Sequence, residues 1–158
     1  MQGHDMWLTT LNAPSRLPNS DFLRRHARRL LRQLHAEQAT QALPVVRRIH
    51  RAQVRTQSVA ELYRLRHTLQ LKHCLQLLAA ELGYASWSAC KRDIDGRPAR
   101  VLDRYRLDLG QFGDYQQLWF ADRQGAQAWQ ASNGGYVVAY GEQAAVLLTG
   151  NAMPAMRD

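Results

Sequence analysis

The chain has 158 residues, 46% hydrophobic and 22% charged, and 21 Lys+Arg outnumber 13 Asp+Glu to give a formal charge of +8. This content is too apolar for a disordered chain, is enough for a core without disulfide or metal staples, and contains no apolar run near the roughly 18 residues of a membrane span. With only Cys74 and Cys90 and no secretory leader in view, the expectation is a soluble cytoplasmic protein with reduced thiols.

The charge is lopsided. Residues 1–73 hold 13 basic and four acidic side chains, a net +9, while 74–158 hold eight and nine, a net −1. Nineteen of the basic residues are Arg; only Lys72 and Lys91 are Lys. A GC-rich genome accounts for Arg over Lys but not for the asymmetry, which points to a polyanionic partner.

Residues 1–18 have little periodic hydrophobicity and end in the Pro-punctuated run Asn12-Ala13-Pro14-Ser15-Arg16-Leu17-Pro18, so a flexible arm is expected. A helix then opens with Asn19 or Ser20 as its cap and Asp21 at the positive end of its dipole. Leu23, Ala27, Leu30, Leu31 and Leu34 form its apolar stripe, and Arg24, Arg25, Arg28, Arg29 and Arg32 fall on the opposite face. A second helix is expected over about 41–51, with Val45, Val46 and Ile49 inward and Arg47, Arg48 and Arg51 outward; Pro44 suits only its first turn.

Ser58-Val59-Ala60-Glu61 is a capping box and opens a third helix. It either continues into the stripe Leu71, Cys74, Leu75, Leu78, Leu82 or is interrupted, with Thr68 capping a fresh start. Gly83 is placed to end this stripe, and Ser86 to cap a short helix over 87–94 that turns Trp87 and Cys90 inward. Gly96-Arg97-Pro98 breaks the pattern, and Pro98 can open one more short helix to about Tyr105. Strand propensity then appears at Gln117–Phe120, followed by a helix capped by Asp122 and stopped by Asn133-Gly134-Gly135. Tyr136–Tyr140 and Ala144–Thr149 form a hairpin about Gly141-Glu142, and residues 151–158 read as a tail. The fold class is α+β: a basic helical module of four or five helices over 19–96, then a small β-α-β-β module over 97–150.

The run from Leu71 to Trp87, with its Ala80-Glu81-Leu82-Gly83-Tyr84-Ala85-Ser86-Trp87 ending, resembles a bacterial helical segment found ahead of ankyrin repeats or beside glyoxalase-like domains. Arg28-Arg29-Leu30-Leu31 and Val45-Val46-Arg47-Arg48-Ile49-His50 are similar to its earlier helices. The likeness spans about residues 20–92 and ends there, since no ankyrin repeat follows. It implies an all-helical module and no catalytic residue.

Other chemistry is sparsely signalled. His67, His73, Cys74 and Cys90 fit no zinc spacing; His73 and Cys74 are neighbours on a helix whose side chains diverge, so a Cys74 nucleophile would need a distant His as its base. Asp93-Ile94-Asp95-Gly96 begins like a calcium loop but lacks its later ligands; Gly134-Gly135 precedes neither Lys nor helix, unlike a phosphate loop. A helix-turn-helix about Gly83 offers only Ser88, Lys91 and Arg92 as reading residues. Asp103, Asp108, Asp114 and Asp122 could supply acid/base pairs; Tyr136 and Tyr140 share a strand face and are expected to pack in the core, the alternative being an exposed pair that stacks on bases or meets a protein partner. A three-strand sheet under one helix leaves a face or edge that a homodimer, or docking on the helical module, would cover.

The expectation is a non-enzymatic binding or regulatory protein without a cofactor or metal. Its Arg24, Arg25, Arg28, Arg29, Arg32, Arg47, Arg48 and Arg51 would meet nucleic acid. The alternatives are an adaptor or inhibitor that binds an acidic protein through the same face and, more weakly, a small enzyme.

Overall fold

The computed structural model describes residues 17–113 and 115–148. Most of the arm, the tail over 151–158 and Asp114 lie outside them. The protein is α+β, and none of its described helices is long and apolar enough to cross a membrane. The chain divides into two compact units between Pro98 and Ala99. Residues 1–98 carry 16 basic and seven acidic side chains and 99–158 carry five and six, so the basic excess belongs to the helical unit.

In that unit α1 spans Asn19–Leu34, α2 Ala39–Arg51, α3 Val59–Arg64, α4 Leu71–Glu81 and α5 Trp87–Ile94, with a 3₁₀ turn at Arg66–Thr68. α1 buries Leu23, Ala27, Leu30 and Leu34, as its periodicity requires, but also His26. α2 buries Ala42, Val45, Val46 and Ile49, and α4 buries Cys74, Leu77, Leu78 and Ala79.

Local sequence misleads at three points. Asn19 and Ser20 are not caps but the first residues of α1, and Pro18 holds the cap position. The carboxylate of Asp95 instead accepts from the Ser20 backbone N–H at 2.7 Å and the Ser20 hydroxyl at 2.9 Å, supplying the missing acceptor from 75 residues away. In return, the Asn19 side-chain amide donates to the carbonyls of Ile94 (2.8 Å) and Arg97 (3.0 Å), so the end of α5 is held as well. Pro44 sits in the second turn of α2 rather than the first, because the helix begins at Ala39. Its ring is exposed, and the buried neighbours Ala42, Val45 and Val46 keep the helix intact where Pro withholds an N–H from the Thr40 carbonyl.

The third point is the interruption between α3 and α4. Thr68 does not cap α4: its hydroxyl donates to the Leu65 carbonyl at 2.7 Å. The cap is Gln70, whose backbone N–H donates to Nδ1 of His73 at 2.9 Å, so His73 takes the place usually held by Glu or Gln. The other punctuation is as local chemistry demands. Ser58 and Glu61 close a capping box, and Ser86 accepts from the Ala89 N–H at 3.1 Å. Gly83, at φ +92°, ends α4 with bonds from its own N–H to the Ala80 carbonyl (3.0 Å) and from the Tyr84 N–H to that of Ala79 (2.9 Å).

In the second unit, a 3₁₀ turn at Ala99–Leu102 leads into α6 (Asp103–Asp108), and β1 spans Gln116–Phe120. α7 (Arg123–Asn133), β2 (Tyr136–Tyr140) and β3 (Gln143–Leu148) follow. The sheet is antiparallel in the order β1-β3-β2, with Trp119 and Val138 both opposite Ala145. Tyr140 pairs with Gln143, leaving Gly141-Glu142 as a two-residue turn with Gly141 at φ +64°. α7 covers one face, where Ala126 packs with Ala144, Val146 and Leu148, flanked by Phe120 and Trp129. On the other face α6 meets β2: the hydroxyls of Tyr136 and Tyr140 donate to Asp103 and Asp108, and the Phe112 ring lies 6.4 Å from that of Tyr136.

Candidate nucleic-acid interface

The core-facing stripe of α1 fixes where its arginines go. At 100° per residue, Arg24, Arg28, Arg32, Arg25 and Arg29 fan across the side opposite Leu23, Ala27 and Leu30. Arg25, Arg28, Arg29 and Arg32 are exposed, as are Arg47 and Arg51 on α2. None of the six has an ion pair or a hydrogen bond among the described residues. The cause is compositional: between Arg24 and Arg32 there is no acidic residue, and α2 has none at all. From Arg25 to Arg32 the backbone advances about 10 Å, the run of about three phosphates along one DNA strand.

The other two predicted residues do different work. Arg24 is half-buried, its Nη1 donates to Asp21 Oδ1 at 2.8 Å, and its guanidinium lies 5.7 Å from the centroid of the Trp87 ring. Arg48 is also half-buried and grips Glu81 with both arms, Nε to Oε2 at 2.8 Å and Nη2 to Oε1 at 2.7 Å. That fork ties α2 to α4 and removes Arg48 from the solvent-facing set.

Beneath this pair lies a buried polar cluster that periodicity alone reveals only in part. His26 is 5% exposed and stacks on Phe22 with centroids 6.3 Å apart. Burial holds its imidazole down at about 4, the charges of Arg48 and Arg29 push the same way, and Glu81 opposes them. His26 is therefore neutral in the folded protein at pH 7 and titrates near 6.5 once unfolded. Its contribution to stability is fully present above pH 6.5 and is lost as pH falls toward 4. From pH 7 to pH 5 this loss is expected to be about 2 kcal/mol. Urea unfolding at the two pH values measures it, and His26→Phe should remove most of the difference.

The remaining candidates are occupied or inert. Burial pushes the Cys74 thiol up to about 12 and that of Cys90 to about 11, so neither offers a thiolate at neutral pH. Asp93 accepts from the Tyr84 hydroxyl and lies 3.7 Å from Arg97, while Asp95 binds Ser20; the acids of the calcium-like run are thus engaged by protein donors. No three potential metal ligands come together among the described residues. Ser88, Lys91 and Arg92 are exposed on an eight-residue helix. Tyr136 is buried with its hydroxyl on Asp103, in keeping with core packing rather than base stacking; Trp119, 47% exposed, is the open aromatic of that face.

No protein-family model matches the chain, and comparisons with curated proteins and with solved structures return no match.

Proposed function

We propose that the helical unit is a nucleic-acid-binding module. Arg25, Arg28, Arg29, Arg32, Arg47 and Arg51 bind the phosphate backbone without reading sequence. The observation that supports this is six exposed guanidinium groups, on two helices that pack together, with no acidic partner. Guanidinium forks suit phosphate oxygens, and clustered positive charge gains by releasing condensed counterions.

A nucleic acid fits better than an acidic protein because the surface has no apolar anchor. Specific protein interfaces are centred on buried aromatic or aliphatic side chains. The large apolar side chains exposed among the described residues are Leu17, Leu65 and Trp119, and none belongs to α1 or α2. Backbone contact without base readout follows from the same composition, since α1 presents arginines rather than a mixed set of base-edge readers.

The test is binding of fluorescent DNA and RNA oligonucleotides at low salt by the intact chain and by the fourfold variant Arg25→Gln, Arg28→Gln, Arg29→Gln, Arg32→Gln. The variant should keep its thermal midpoint, because these side chains make no ion pair or hydrogen bond among the described residues, yet lose at least about a hundredfold in affinity. Equal affinity of the two proteins refutes the assignment. Failure of the native chain to bind any oligonucleotide, with capture of an acidic protein instead, favours the adaptor alternative.

A further inference from the structure

On the same unit, but built from other residues, is a contact between two hydrogen-bond donors. Nη1 of Arg55 lies 3.3 Å from Nε2 of His73. The other ring nitrogen, Nδ1, accepts the backbone N–H of Gln70 at 2.9 Å, so the single proton of the neutral ring resides on Nε2. A guanidinium N–H and an imidazole N–H therefore converge with no acceptor between them. Protonating His73 does not resolve this, because it would place a second N–H against that of Gln70. Burial and the charges of Arg55 and Lys72 do hold the His73 pKa below its ordinary value. Arg55 and Lys72 have no ion-pair partner among the described residues.

Only a shared acceptor satisfies such a pair. Water accepts from both donors but leaves the charge beside them uncompensated; an oxyanion does both. We infer that Arg55 Nη1 and His73 Nε2–H form an oxyanion site for a phosphate group, with Lys72 adding to the field. The site stands apart from the exposed arginines of α1 and does not depend on their binding nucleic acid. The phosphate comes either from a bound nucleic-acid backbone or from a free phosphate compound.

The experiment is a titration of the whole chain with inorganic diphosphate at constant ionic strength, followed by NMR at the His73 ring and the Arg55 side chain. Chloride replaces diphosphate in the control. Saturable shifts at these two residues, absent with chloride, support the site. An oligonucleotide that reproduces them and is displaced by diphosphate marks the backbone as source; diphosphate alone marks a free phosphate compound. No local shift, or an equal shift at all exposed arginines, overturns the proposal.

Three substitutions separate binding from folding. Arg55→Gln should weaken diphosphate by about tenfold or more, with Arg55→Lys in between. His73→Glu keeps the bond from the Gln70 N–H, gives Arg55 an acceptor and so preserves the fold, but should abolish diphosphate binding as read at Arg55. Undiminished binding by folded His73→Glu contradicts the site.

Discussion

Asp103→Ala is expected to destabilise residues 99–148 by about 3–5 kcal/mol, the scale of breaking a buried ion pair from one side. Arg106 is 1% exposed, and its Nη1 donates to the Ala99 carbonyl at 2.8 Å and to Asp103 Oδ1 at 2.9 Å. The second carboxylate oxygen accepts the hydroxyl of Tyr136, itself 5% exposed, so one Asp compensates a buried cation and a buried phenol. Burial raises the Asp103 pKa, while Tyr136 and then Arg106 pull it back. Removing the carboxylate takes the Asp103 charge away from a guanidinium that is 1% exposed. Tyr136→Phe deletes one neutral donor and should cost about 1 kcal/mol. Urea unfolding followed through Trp119 and Trp129 measures both, and equal effects would contradict this ordering.

Gly135→Ala is expected to destabilise the same unit by about 3 kcal/mol or more, from two causes that act together. The residue has φ +106°, which L side chains rarely adopt. A Cβ there would lie 2.5 Å from Val146 Cγ1 and 2.8 Å from Leu148 Cδ2, and both residues are completely buried under α7. Neither can move without disturbing the central strand β3. Gly83 supplies the comparison, since its φ is +92° but nothing lies within 4 Å of an added Cβ. Gly83→Ala therefore incurs backbone strain alone, about 1 kcal/mol. Thermal unfolding of the two variants should place Gly135→Ala well below Gly83→Ala, and similar midpoints would show that the packing clash is relieved cheaply.

Much of the fold is written locally. Ser58 with Glu61, Ser86, Asp122, Gly83 and Gly141-Glu142 act where they stand, because a cap or turn is decided by a few adjacent residues. What sequence patterns did not reveal is long-range. Asp95 serving α1, Glu81 taking Arg48 and Asp103 compensating both Arg106 and Tyr136 depend on contacts made only after collapse. His26 lies between: three residues after Leu23 and four before Leu30, it falls on the apolar stripe, and a polar identity hides an inward position. Of the eight arginines that patterning points to, Arg24 and Arg48 are held by Asp21 and Glu81. The distinction matters most for Arg48, because a guanidinium already forked onto a carboxylate has little left for phosphate.

The module's binding role is tested most directly by the salt dependence of its affinity for a duplex of arbitrary sequence. Six phosphate contacts predict a slope of log K against log salt near −5, and loss of about a thousandfold in affinity between about 50 and 200 mM salt. The fourfold Arg→Gln variant on α1 should flatten that slope to about −2. No binding at low salt, or a slope unchanged by the four substitutions, would contradict the assignment of the α1 and α2 arginines to a phosphate backbone.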